Sequence, residues 1–163
     1  MDELSVDSLL SVAIAIETNG AAYYREAAKF TPPEVSDEFL RLAAVEDSHT
    51  KTFEFMREAL PGSDEKPVEL NLTAPQEKYL QRIISGAAFI VPGGVPTLKG
   101  NETLVTLLKK AIDDEKDTIV FYQCLRSAVK DEKILEVLRL ILDEELSHVF
   151  DLTHRLEKLE NKG

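Results

Sequence analysis

The residues best suited to chemistry in this chain are four glutamates and two histidines that recur at matching intervals. Glu-x-x-His occurs twice, at 46–49 and at 145–148. A three-residue step places both side chains of such a motif on one face of a helix. Glu17 precedes the first motif by 29 residues (17 to 46), and Glu115 precedes the second by 30 (115 to 145). Carboxylate and imidazole groups grouped in this way are typical metal ligands.

These six residues lie on helix faces that are otherwise apolar, and this placement predicts a metal centre. A buried, unpaired carboxylate costs several kcal/mol, and four close together also repel one another. Two metal ions would cancel that charge, and iron or manganese suits this ligand set better than zinc. We therefore predict two iron ions, with manganese or zinc as substitutes. The predicted ligands are Glu17, Glu46, His49, Glu115, Glu145 and His148, with Glu46 and Glu145 bridging.

Four long stretches of helical periodicity must position these residues. Apolar side chains recur every three or four residues over about 6–30, 34–60, 101–129 and 131–159. This spacing is typical of a helix with one face turned to a common core. Thr31-Pro32-Pro33 ends the first stretch and Pro61-Gly62 ends the second, because proline cannot continue a helix. We expect two helical hairpins, about 5–60 and 101–160.

The segment 61–100 joins the two hairpins and differs from both. It holds five of the seven prolines, and a short helix is predicted over about 75–89. Forty residues suffice to travel the length of a bundle, so the second and third long helices are expected to be parallel. The prediction is all-α: a single ferritin-like four-helix bundle over 1–163 with one long crossover connection.

The two hairpins also repeat a longer motif, AI-x-x-E-x(5)-[YF]-Y, at 13–24 and 111–122. Tyr24 and Tyr122 end the two copies, each seven residues after its lone glutamate. Two readings stay open at this point: plain core aromatics, or hydroxyl groups that hydrogen-bond a ligand carboxylate and tune it.

Four further polar residues have plainer readings. Asp114 and Asp143 are expected to be surface acids, although either could orient a histidine ring. His154 lies off the apolar face and is predicted to be exposed. Cys124 is expected to fill a gap in the core rather than react.

Composition excludes several classes of function. The 163 residues carry a net charge of −11, which disfavours nucleic acids and anionic membranes as partners. One cysteine rules out an intramolecular disulfide and a four-cysteine metal site within the chain. No apolar run approaches the roughly 18 residues that span a bilayer, and the first residues lack a signal-peptide pattern. We expect a cytoplasmic protein.

The segments AIETNGAAYY, EDSH, AIDDEKDTIVFY and ELSH resemble the di-iron domain of rubrerythrins. The resemblance covers nearly the whole chain and implies a ferritin-like bundle with non-haem di-iron. It also implies the family's usual activity, which is reduction of hydrogen peroxide in the response to oxidative stress. Classical rubrerythrins append a rubredoxin-like domain with two Cys-x-x-Cys pairs that delivers electrons. With one cysteine, this chain is expected to take electrons from a separate donor protein.

The chain departs from the rubrerythrin pattern at Thr118, where those proteins carry a second glutamate three residues after the third-helix ligand. We expect peroxide or oxygen as the oxidant and a homodimer as the assembly. The alternatives are a ferroxidase or iron-binding module, an oxygenase acting on an organic substrate, and a non-catalytic helical bundle. No dedicated substrate pocket is visible in the sequence.

Overall fold

The computed structural model describes residues 5–59, 70, 72–89 and 98–161 of the chain. These residues form five helices and no strand: α1 (Val6–Ala28), α2 (Pro33–Ala59), α3 (Ala74–Phe89), α4 (Leu104–Ala128) and α5 (Glu132–Glu160). The predicted all-α helical architecture is confirmed, and the short helix expected near 75–89 is α3. Much of the predicted crossover, including Pro61 and Gly62, lies outside the described residues.

Local sequence explains where the long helices begin. Ser5 caps α1: its side chain accepts a hydrogen bond from the Ser8 amide, and the Ser8 side chain accepts one from the Ser5 amide. Thr103 and Asp131 cap α4 and α5 in the same sense, since their side chains accept bonds from first-turn amides. Each cap satisfies amides that have no partner within the helix. α2 begins at Pro33, where a missing amide hydrogen costs nothing.

Contacts between helix ends show that each hairpin is antiparallel. Arg57, near the end of α2, bonds Asp7 at the start of α1 at 2.7 Å. Lys109, near the start of α4, lies 3.1 Å from Glu160 at the end of α5. In each hairpin, the second long helix therefore runs back alongside the first.

Contacts between the hairpins fix their relative direction. The Tyr23 hydroxyl, late in α1, donates to the carbonyl oxygen of Leu107, early in α4, at 2.7 Å. Arg155 late in α5 pairs with Glu38 early in α2. α1 is thus antiparallel to both α2 and α4, so α2 and α4 point the same way. That direction is compatible with the predicted crossover.

The bundle core consists of two apolar clusters with polar residues between them. One cluster includes Leu10, Phe53, Leu125 and Leu138, and the other includes Ala27, Phe39, Leu108 and Leu152. Along each long helix, the predicted metal ligands fall between residues of the two clusters. We call these six residues, Glu17, Glu46, His49, Glu115, Glu145 and His148, the polar layer.

The fifth helix, α3, lies on the outside of the bundle against α1 and α4. Among the described side chains of α3, Leu80 and Ile83 are buried, and both join the first apolar cluster. None of the described helices is both long and apolar enough to cross a lipid bilayer.

Candidate metal centre

The polar layer brings together all six predicted ligands. Each long helix contributes: α1 and α4 supply one glutamate each, and α2 and α5 supply a Glu-x-x-His pair each. All six side chains are buried. The antiparallel hairpins explain this meeting, because the polar residue lies near the middle of every long helix. Residues more than 125 positions apart in the chain thereby share one site.

Their ligand atoms form two groups that share two members. Glu17, Glu46, His49 and Glu145 have ligand atoms that all lie within 4.8 Å of one another. The same holds for Glu46, Glu115, Glu145 and His148. Glu46 and Glu145 belong to both groups, which is the position a bridging carboxylate must occupy between two metal ions. That assignment was predicted from the sequence, and the geometry allows it.

Both histidines turn Nδ1 toward the carboxylates. Nδ1 of His49 lies 2.8 Å from Glu145 Oε1, 3.4 Å from Glu17 Oε2 and 3.6 Å from Glu46 Oε2. Nδ1 of His148 lies 3.1 Å from Glu145 Oε2 and 3.6 Å from Glu46 Oε1. The two rings face each other with their centroids 6.4 Å apart.

The second histidine also approaches the lone glutamate of its own hairpin. Nδ1 of His148 lies 3.5 Å from Glu115 Oε1, as Nδ1 of His49 lies 3.4 Å from Glu17 Oε2. Each histidine therefore meets one lone glutamate and both shared glutamates. The sequence repeat thus has a spatial counterpart at the centre of the bundle.

Several buried ligand atoms have no hydrogen-bond partner. They are Glu17 Oε2, Glu46 Oε1, His49 Nδ1 and Glu145 Oε1. His49 Nδ1 and Glu145 Oε1 are 2.8 Å apart but do not have the geometry of a hydrogen bond. Buried polar atoms are nearly always paired, so an orphaned cluster needs an explanation. Metal ions would satisfy all four atoms at once, and the residues therefore fit a di-metal centre.

Burial makes the charged state of the carboxylates costly without a cation. The pKa of Glu17 lies well above its ordinary value because of burial, and the neighbouring Glu46 adds to the effect. Burial also raises the pKa of Glu115 to about 7, although His148 counteracts part of that shift. These shifts are the expected response of acids that share a low-dielectric site.

The pKa values of the two histidines are raised, although burial alone would lower them. For His49, burial favours the neutral ring, but the close carboxylates of Glu145, Glu17 and Glu46 outweigh burial and raise the pKa well above the ordinary value. For His148, burial likewise opposes the charge, while Glu115 and Glu145 raise the pKa to about 10. In the metal-free site the carboxylates therefore favour the protonated form of both histidines.

Two buried tyrosines hydrogen-bond the lone glutamates across the hairpins. The Tyr24 hydroxyl on α1 donates to Glu115 Oε1 on α4, and the Tyr122 hydroxyl on α4 donates to Glu17 Oε1 on α1. The sequence left open whether these tyrosines are plain core aromatics or hydrogen-bond a ligand carboxylate. Their contacts are those of the second interpretation. Each bond holds one oxygen of a lone glutamate in a fixed direction. For Glu17 the other oxygen is left among the orphaned atoms.

One residue that contacts the site was missed by the sequence analysis. Glu144, whose side chain is 59% exposed, places Oε2 2.6 Å from Nε2 of His49. A carboxylate on the second ring nitrogen orients a ligating histidine and fixes its tautomer. Only the antiparallel packing of α2 and α5 reveals this contact, since the sequence separation is 95 residues. Among the described residues, Nε2 of His148 has no corresponding carboxylate.

The remaining candidates take the plainer roles. Asp114 pairs with Lys110 and Asp143 with Arg139, so both are surface acids as expected. His154 is exposed, and Cys124 is half-buried against the first apolar cluster. None of these residues belongs to the polar layer.

Thr118, at the position where the resemblance implies a second glutamate, supplies no such ligand here. Its side chain is buried, and its hydroxyl donates to the carbonyl oxygen of Asp114 at 3.0 Å. The space beside Thr118 is part of a cavity.

That cavity, of about 310 Å³, lies between α1, α3 and α4. We call it the α3 cavity. Its floor includes Glu17, Glu46 and Glu115 from the polar layer. The sequence analysis found no substrate pocket, because the residues that form this one come from four separate helices. Neither histidine of the polar layer lines it, so it reaches the centre from the carboxylate side.

Comparison with known proteins relates the first part of the chain to a protein family. The Rubrerythrin family model matches residues 8–88. The chain is rubrerythrin-like. The match spans most of α1, all of α2 and most of α3, and it includes Glu17, Glu46 and His49. The resemblance predicted from the sequence is thereby confirmed. The other three predicted ligands of this rubrerythrin-like chain lie outside the matched range and are related to the first three by the internal repeat.

A solved structure supports the same fold. The crystal structure of a candidate ferritin-like diiron-carboxylate protein from Thermotoga maritima is similar, with a TM-score of 0.74 and 22% sequence identity. The similarity covers 96% of the rubrerythrin-like chain and 97% of the other. At this identity it establishes the fold alone. A search of curated proteins gives no match.

Proposed function

We propose that this chain is a non-haem di-iron oxidoreductase that reduces hydrogen peroxide with electrons from a separate donor protein. The observation that carries the proposal is the pair of ligand groups sharing Glu46 and Glu145, together with the orphaned buried atoms of those groups. The rubrerythrin match over residues 8–88 supports the choice of iron and of peroxide.

The proposed centre has six ligands for two ions. One ion would be held by Glu17 and His49, the other by Glu115 and His148, and both by the bridging pair Glu46 and Glu145. Six protein ligands leave coordination positions open, as catalytic sites require. When bound, two ferrous ions would supply the two electrons that reduce peroxide to water.

The protein's own residues prepare the site for that chemistry. Tyr24 and Tyr122 hold the lone glutamates in place, and the apolar clusters above and below exclude water. Glu144 holds the ring of His49 with Nδ1 toward the carboxylates. The α3 cavity gives a small oxidant a route to the carboxylate side.

Anaerobic loading with ferrous iron tests the proposal. We expect two irons per chain, oxidised much faster by hydrogen peroxide than by oxygen when each is added separately and near-ultraviolet absorbance is followed. Faster oxidation by oxygen would instead favour a ferroxidase or an oxygenase. Absence of bound iron would leave only the non-catalytic bundle.

A matched pair of variants assigns the ligands. Replacing both His49 and His148 with alanine should abolish stoichiometric iron binding. Replacing His154, the third and exposed histidine, with alanine should leave two irons bound. Retention of two irons by the double variant would refute the ligand assignment.

A further inference from the structure

The α3 cavity is larger than a diatomic oxidant or peroxide requires. Its volume of about 310 Å³ is at the low end of the range for small-molecule pockets, which is about 300–1,000 Å³. It also reaches beyond the polar layer to α3, where Arg82, Ile83 and Gly86 line it. The cavity therefore has room for a ligand larger than the oxidant.

The walls of the cavity are mainly apolar. Ile16 and Gly20 of α1, Ala111 of α4 and Ile83 of α3 line it, with the ring of Tyr23 beside them. Apolar walls with a few convergent polar groups are typical of a site for a small organic molecule. An apolar ligand would gain from leaving water, because burial of apolar surface is favourable.

The charges at the rim are already paired. Lys110 Nζ lies 2.6 Å from Asp114 Oδ2, and Arg82 lies 3.2 Å from Asp117, which also accepts a hydrogen bond from Tyr79. At the rim, a charged ligand would have to break one of these pairs or go without a partner of opposite charge. An anion would in addition face the carboxylates on the floor. The rim therefore favours an uncharged ligand.

We infer that the α3 cavity is a binding site for a small, uncharged, largely apolar organic molecule, held against the carboxylate side of the polar layer. A single-ring aromatic alcohol is a suitable probe of this ligand class. This inference goes beyond the proposed function, and it requires no metal in the polar layer.

Gly86 offers a way to fill the cavity without disturbing the polar layer. It lines the cavity from α3, and a Cβ built on it meets no atom within 4 Å. A leucine there has open space, and leucine has the higher helix propensity, so the variant is expected to fold. Ser85 is the neighbouring exposed residue of α3 and does not line the cavity, which makes Ser85→Leu the matched control.

The test uses the full chain in its metal-free form, with benzyl alcohol as the probe and benzoate as its charged counterpart. NMR titration follows the methyl groups of Ile16 and Ile83. We expect saturable shifts at both with benzyl alcohol, binding at least about tenfold weaker in Gly86→Leu, and no change in Ser85→Leu. We expect benzoate to bind at least about tenfold more weakly than benzyl alcohol.

Three results would overturn the inference: no saturable shift in the unmodified chain, equal binding by Gly86→Leu and Ser85→Leu, or equal binding of benzoate and benzyl alcohol. Because these titrations use metal-free protein, they remain informative if the iron count fails. A chain that binds two irons but no benzyl alcohol would keep the proposed function and lose only this ligand site.

Discussion

Replacement of Glu144 by glutamine is the sharpest test of how the chain distinguishes its two proposed metal positions. Glu144 Oε2 lies 2.6 Å from Nε2 of His49. The residue before the other shared glutamate is Val45, which has no charge to offer His148. The two metal positions, alike in their ligands, therefore differ in the group behind one histidine.

The sign of the effect follows from the charge change at Nδ1. In the metal-free site the carboxylates favour a proton on this nitrogen, since they raise the pKa of His49. A divalent ion that displaces the proton adds one further positive charge near Glu144. The carboxylate therefore stabilises the metal-bound state more than the protonated state, and its loss weakens metal binding.

The magnitude is modest because Glu144 is partly in water. A hydrogen bond to a charged group contributes about 1 kcal/mol more than one between neutral groups. The Glu144 side chain is 59% exposed, and solvent screening reduces this difference to roughly 0.5–1 kcal/mol. Glu144→Gln should thus weaken binding about two- to fivefold. Glu144→Ala, which also removes the acceptor, should approach the tenfold loss at the low end for an outer carboxylate.

Titration with Mn²⁺ or Co²⁺ at fixed pH, followed by calorimetry and by Co²⁺ absorbance, resolves the two binding steps. We expect one step to weaken and the other to stay unchanged. Asp143→Asn is the matched control, because it removes one negative charge from the adjacent, 65% exposed position. Equal weakening of both steps, or the same effect from Asp143→Asn, would refute the reasoning.

Three further predictions follow from the polar layer. Tyr122→Phe should lower the free energy of unfolding by about 1–3 kcal/mol, because buried Glu17 Oε1 loses its donor; an unchanged urea midpoint would contradict this. Mn²⁺ at about 100 times its dissociation constant should add about 2.7 kcal/mol per ion to the free energy of unfolding and raise Tm by roughly 2–4 °C per kcal/mol. Calorimetry with and without a chelator measures the shift in Tm, and an unchanged Tm argues against metal binding. At pH 8, metal binding should release protons, since the pKa of His148 is about 10; below pH 7, where Glu115 with its pKa of about 7 is also protonated, affinity should fall. Calorimetry in two buffers with different protonation enthalpies counts the protons, and identical heats would contradict the prediction.

Most of the fold could be predicted from the sequence because its signals are local. The apolar period marks the long helices, and Pro32-Pro33 marks the boundary between the first two. The repeat of the Glu-x-x-His motif also indicates which polar residues share a level in the bundle. These patterns depend only on helix geometry, so each of them can be recognised within a single segment of the sequence.

What the sequence left open depends on contacts between separate helices. The repeat places Tyr24 two turns after Glu17, yet its hydroxyl bonds Glu115 on the facing helix. In the sequence, Glu144 has the features of an ordinary surface acid. Only the packing of α5 against α2 brings it next to His49. The α3 cavity likewise exists only where residues of four helices meet. Local periodicity cannot specify which side chains of antiparallel neighbours come into register.

The position of the polar layer explains how the bundle tolerates four buried carboxylates. Each long helix contributes apolar residues on both sides of its polar residue, so two apolar clusters form and the layer lies between them. Burial of those clusters stabilises the fold, while the layer costs free energy whenever its charges are unmatched. Replacing the whole layer with apolar residues of similar volume should therefore stabilise the metal-free bundle, whereas replacing one histidine alone should destabilise it. Such an asymmetry, measured by urea unfolding, would indicate that the layer serves binding and not the stability of the fold.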